Sequence, residues 1–231
     1  MKEIDVYKVL EGKNPKLARR VPRFVVDYLR RTIHEREVNE ILARFGDLEG
    51  IAFVRAALGY MNVRYHSVGM ERLNPEGRYV FASNHPFGGM DGLMLADEVA
   101  RYFGDVRVVV NDLLMYLGPL RGLFVPVNKH GRQDAGSVEA FNNAFASDVP
   151  IVTFPAGLCS RRRRGVVRDL EWKPNFVKKA AAYGRDVVPV YFNGRLSDFF
   201  YRLSNLRTVL GIKANIEMLY LPDEMFSQKG K

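Results

Sequence analysis

His85 and Asp91, in the run Ser83-Asn84-His85-Pro86-Phe87-Gly88-Gly89-Met90-Asp91-Gly92, are the residues whose types and spacing best suit proton transfer. A carboxylate that accepts the proton of one imidazole nitrogen fixes the tautomer and leaves the other nitrogen to deprotonate a hydroxyl. Gly88 and Gly89 let the loop turn back toward the ring and leave room for a substrate beside the backbone. No Gly-x-Ser-x-Gly elbow supplies a serine nucleophile, so direct attack by a substrate hydroxyl is the more economical chemistry. The same residues also suit an ordinary turn, because Asn, Gly, Pro and Asp all satisfy local backbone groups. On its own, the run leaves both readings open.

A second candidate is the basic stretch Leu158-Cys159-Ser160-Arg161-Arg162-Arg163-Arg164-Gly165. Guanidinium forks match carboxylate and phosphate geometry, so Arg161 and Arg162 are candidates for an anionic headgroup or an acidic carrier. The alternative is a solvated basic loop. Cys159 would need a lowered thiol pKa to act as a nucleophile. Burial as a small hydrophobe is the preferred expectation. His34, His66 and His130 share no metal-ligand spacing, and no metal is expected. Trp172, with Leu170 and Phe176, is expected to anchor a helix.

These residues have to be positioned by a sheet. Tyr79–Ser83 reads as a short buried strand ending at the His85 run, and Val63–Val68 alternates like a strand. Helices are expected at about 37–44, 48–61, 92–103, 113–117, 137–146 and 174–183. Strands are expected at 106–110, 123–127, 151–154 and 187–192. Helices alternating with short apolar strands predict an α/β fold, a mostly parallel sheet flanked by helices, with an N-terminal helical segment. Ligands of such sheets collect at the carboxyl ends of the strands, which would bring His85 and Gly157 to one rim. The division expected is 1–61, a helical membrane-docking segment, and 62–231, the catalytic domain.

In the first segment Leu17, Val21, Phe24, Val25, Tyr28, Leu29 and Ile33 recur at helical steps among Lys16, Arg19, Arg20, Arg23, Arg30 and Arg31. That is the make-up of a helix lying on an anionic bilayer, or of one packed on its own domain with a solvated basic face. Over all 231 residues, 35 Lys plus Arg against 26 Asp plus Glu leave a charge of +9, which favours polyanionic partners. The single cysteine excludes an intrachain disulfide and suggests a reducing compartment. Neither a spanning apolar stretch nor a signal-peptide layout is evident, so any membrane contact is expected to be peripheral, on the cytoplasmic face.

Four blocks in order resemble the glycerolipid acyltransferase superfamily of the lysophosphatidic acid type, particularly its hemolysin-like and aminolipid-synthesising branches. They are Asn84-His85-Pro86-Phe87-Gly88-Gly89-Met90-Asp91-Gly92, Gly122–Asn128, Phe154-Pro155-Ala156-Gly157 and Val187-Val188-Pro189-Val190, together covering about residues 60–195. Five residues separate His85 from Asp91, one more than the family's usual pattern and similar to the hemolysin-like branch. Asn128 and Ala156 stand where the family usually has Arg and Glu tied to glycerol phosphate. Lys129, His130 or Arg132 would then supply the missing cation, and a lyso-aminolipid built on glycine or ornithine fits at least as well as lysophosphatidic acid.

The resemblance implies O-acyl transfer from an acyl thioester of acyl carrier protein or coenzyme A, with no bound cofactor. His85 is the expected base and Asp91 its partner. Asn84, Gly88, Gly89, Asn128, Lys129, Phe154, Pro155, Ala156, Gly157, Arg161 and Arg162 are the expected substrate-binding residues. Backbone amides near Gly157 are candidates for the oxyanion. The competing reading is a basic module that binds anionic membrane or nucleic acid without catalysis. The arginines are not interleaved with aromatics as a nucleic-acid stacking platform requires, so no nucleic-acid partner is expected.

Overall fold

A computed structural model describes residues 3–127 and 135–230. The chain opens with helices α1 (Val6–Lys13), α2 (Pro15–Ala18), α3 (Arg23–Thr32), α4 (Glu35–Phe45) and α5 (Gly50–Tyr60). Then follow β1 (Tyr79–Ser83), α6 (Gly89–Phe103), β2 (Arg107–Asn111), β3 (Phe124–Val127), α7 (Ala135–Ala146) and β4 (Ile151–Thr153). A hairpin of β5 (Arg161–Arg163) and β6 (Val166–Arg168) precedes α8 (Asn175–Ala182), β7 (Asp186–Val190), α9 (Asp198–Val209) and α10 (Leu221–Phe226).

The main sheet has five strands in the order β3-β2-β4-β1-β7, every pairing parallel. Helices cover it, which is why all five residues of β1 are buried and its sequence is an unbroken buried run instead of an alternating one. The α/β expectation holds. Pro189 sits in β7, at the sheet edge, where a missing N–H costs no ladder bond. One continuous core joins Ile41, Leu42, Phe53 and Val54 of the N-terminal helices to Phe81, Met94, Val99 and Val108.

Three local expectations change. Residues 63–68 pair with no strand among the described residues. They form a strap over α6, held where the Tyr65 hydroxyl donates to Asp97 at 2.6 Å and Ser67 donates to Glu98. Alternation arose because an extended strap also turns every second side chain inward. The basic stretch 16–33 is two helices broken around Pro22; Val26 is buried while Phe24 and Tyr28 face outward. Finally, α6 begins at Gly89 and not near Gly92, so Asp91 belongs to its first turn.

Asp97, only 3% exposed, accepts from Arg55 at 2.7 Å, Tyr65 at 2.6 Å and Arg101 at 2.7 Å. Burial opposes its ionisation, but these donors outweigh burial and hold the carboxyl below its ordinary pKa. A folded-state pKa below the unfolded one stabilises the fold at neutral pH, and that contribution fades as pH falls below about 4 through the folded value. Asp97→Asn is expected to cost about 2 kcal/mol in urea unfolding at pH 7 and to flatten the acid limb of the stability profile.

Candidate active site

β1 and β4 are neighbours and parallel, with Ala82 opposite Thr153, so the His85 run and the Phe154 block leave the sheet side by side at its carboxyl edge. His85 Nδ1 lies 2.9 Å from Asp91 Oδ1, within ion-pair range but off the line of a straight hydrogen bond. Such bonds commonly tighten only when substrate is present. Asp91 is fully buried, and its carboxylate is fixed from both sides: Phe87 N donates to Oδ2 at 2.9 Å and Gly92 N to Oδ1 at 3.0 Å. Its place in the first turn of α6 sets the negative charge against the positive end of the helix dipole.

The turn that aims Asp91 at the ring depends on Gly88. Its φ of 67° lies in the left-handed region, and a Cβ there would stand 2.9 Å from Leu221 Cδ2. The Phe154 ring stacks on the imidazole with centroids 4.2 Å apart. The His85 carbonyl accepts from Ser160 N at 2.8 Å, which ties the two blocks together through backbone. Among the described residues nothing bonds His85 Nε2, and the side chain is 19% exposed.

Asp169, which the sequence did not single out, holds this arrangement from behind. Its Oδ1 accepts from His85 N at 3.2 Å and Ser160 Oγ at 2.6 Å, and its Oδ2 from Trp172 Nε1 at 2.9 Å. Trp172 also meets Phe176 of α8 edge-on.

Other expected site residues lie elsewhere. Asn84 spends its amide on the backbone of Phe192, donating at 2.9 Å and accepting at 2.6 Å, so it laces β1 to the chain after β7. Arg161 is buried and donates to Glu217 at 2.8 Å; its fork faces inward and leaves no donor face for a headgroup at the rim. Arg162 pairs with Asp198 at 2.7 Å, half-buried against the ring of Tyr201. Pro155 and Ala156 are buried. Gly157, at φ 69°, donates its own amide to Phe154 O at 2.9 Å in the turn. Asn128, Lys129, His130 and Arg132 lie outside the described residues.

Beside the His85 loop is a cavity of about 660 Å³, roofed by residues 63–70 and walled by α6 and β7. Phe87 and Met90, from the loop itself, line it with Met94, Leu95, Val190 and Phe192. Such volume and apolar lining suit a chain-like ligand. Burial pushes the Cys159 thiol up to about 11 despite the Arg161 guanidinium beside it, so it remains a protonated, packed thiol. Cys159→Ala is expected to keep turnover within about threefold of wild type in a steady-state assay, as for a residue with no part in proton or acyl transfer.

The chain belongs to the acyltransferase family, whose sequence model matches residues 8–231. Among its relatives is a protein of Bacteroides thetaiotaomicron named lyso-glycine lipid O-acyltransferase, 48% identical over 229 residues, 99% of this chain and 84% of that one. A protein of the same name from Phocaeicola vulgatus is 45% identical over 229 residues, 99% of this chain and 82% of its own length.

Proposed function

We propose that this acyltransferase carries an acyl group from a thioester of acyl carrier protein or coenzyme A to the hydroxyl of a lyso-lipid, with lyso-glycine lipid the preferred acceptor. The observation that carries the reading is the 2.9 Å approach of His85 Nδ1 to a fully buried Asp91, with Nε2 turned away from it.

Nε2 takes the proton of the acceptor hydroxyl, and the oxygen attacks the thioester carbonyl. The tetrahedral intermediate collapses with loss of thiolate, and the imidazolium returns the proton to that sulfur. Asp91 stabilises the transient imidazolium and keeps the reactive tautomer. In this reading the apolar cavity beside Phe87 and Met90 holds an acyl chain, which positions its thioester over the ring. The acceptor assignment rests on the names of the two relatives, and on the departures from the glycerol-phosphate pattern at Asn128 and Ala156.

The test is direct. Purified protein is given palmitoyl-carrier or palmitoyl-coenzyme A thioester with lyso-glycine lipid, lyso-ornithine lipid or lysophosphatidic acid, and products are read by mass spectrometry. The diacylated glycine lipid should form fastest. Acylation of lysophosphatidic acid alone would overturn the acceptor, and no acylated product from any of them would overturn the reaction.

A further inference from the structure

Several exposed apolar side chains gather on α3, α9 and the turn between them. Phe24 and Tyr28 of α3, Phe199, Leu206 and Val209 of α9, and Leu210 just beyond it are exposed, Phe24 to 72% and Val209 to 83%. Tyr220 joins the two helices. Its hydroxyl meets that of Tyr28, and its ring meets Phe199 edge-on with centroids 5.0 Å apart.

On α9, Phe199, Arg202, Leu206 and Val209 recur at three- and four-residue steps, so they share one face. The opposite face buries Phe200, Tyr201 and Ser204. A helix apolar on both faces has a second surface to cover.

Charge says what covers it. Arg23, Arg202 and Lys213 are exposed around the patch and have no ion-pair partner among the described residues. The nearby carboxylates already have partners: Asp198 pairs with Arg162 and Arg195, and Asp223 Oδ1 lies 2.9 Å from His34 Nε2. A second copy docked through the same face would set these cations against one another. Apolar side chains ringed by unpaired cations match the acyl boundary and the headgroups of an anionic bilayer.

The position also fits. Leu221, the residue after Tyr220, packs against Gly88 of the His85 loop.

We propose that α9, with Phe24 and Tyr28 of α3 and the Tyr220 turn, is a docking face for an anionic lipid bilayer, seating the His85 loop at the membrane surface. This goes beyond the sequence expectation, which placed docking within residues 1–61, on the basic stretch 16–33, and assigned none to α9. It is independent of the acyl-transfer chemistry.

Sedimentation with sucrose-loaded vesicles tests it. Wild type should bind vesicles of equal parts phosphatidylcholine and phosphatidylglycerol, bind phosphatidylcholine alone weakly, and release as salt rises. Leu206→Glu with Val209→Glu, and separately Arg202→Glu with Lys213→Glu, should each lower partitioning at least about tenfold, with the thermal midpoint unchanged. As a check that does not depend on those variants folding, Leu206→Cys carrying an environment-sensitive fluorophore should shift to the blue on the mixed vesicles. Unchanged partitioning in both double variants, or no spectral shift, would overturn the proposal. So would a dimer in sizing that Leu206→Glu with Val209→Glu converts to monomer, because the face would then belong to a second copy.

Discussion

His85→Ala is expected to lower kcat/KM for acyl transfer by about a thousandfold or more while the protein folds and melts as wild type does. The side chain contributes one stacking contact with Phe154 and little else to the core, so its loss removes a base without opening the interior. The backbone bonds that hold the loop, Ser160 N to His85 O and His85 N to Asp169, do not depend on the imidazole. The drop should fall on kcat more than on KM, because the base acts only as the hydroxyl becomes a nucleophile. Added imidazole should restore part of the rate in the vacated space. Asp91→Asn should fall by a comparable factor for a different reason: an amide keeps one acceptor oxygen but can present its N–H to Nδ1, which favours the wrong tautomer. If His85→Ala turns over acceptor as fast as wild type, the His85–Asp91 assignment is wrong, whatever the family.

Much of this arrangement was written in local sequence. A buried run followed by Gly-rich turn chemistry placed His85 at the end of β1, and the blocks at Phe154 and Val187 placed two further strands beside it. What local pattern could not show was direction. Four consecutive arginines look alike, yet a strand points successive side chains to opposite faces. Arg161 therefore goes inward to Glu217, 56 positions away in the chain, while its neighbour Arg162 turns the other way to Asp198. The strap at residues 63–68 misled for a related reason, since alternation reports a half-buried extended chain and not a hydrogen-bonded partner. The exposed apolar residues of α9 carry no motif, and they become a surface only once Tyr220 bridges them to α3.

Asp169 is the sharpest case of a site residue hidden from sequence, 84 positions from His85 in an irregular stretch without periodicity. It acts on the histidine only through backbone, so it is a positioning residue. Its Oδ1 fixes the peptide at His85 and the Ser160 hydroxyl together, which sets where β1 and the Phe154 block diverge. Asp169→Ala releases both anchors and the Trp172 indole at once. The imidazole then loses its fixed height over the substrate, and a displacement of about 1 Å costs about a hundredfold in rate. The expected result is a fall in kcat of about that size with KM changed little, because no group that contacts substrate has been removed. A merely structural role would lower the thermal midpoint and leave the kcat of the folded fraction intact. Asp169→Asn, which keeps an acceptor for His85 N, should recover most of the lost kcat, and an unchanged kcat in Asp169→Ala would remove Asp169 from the site.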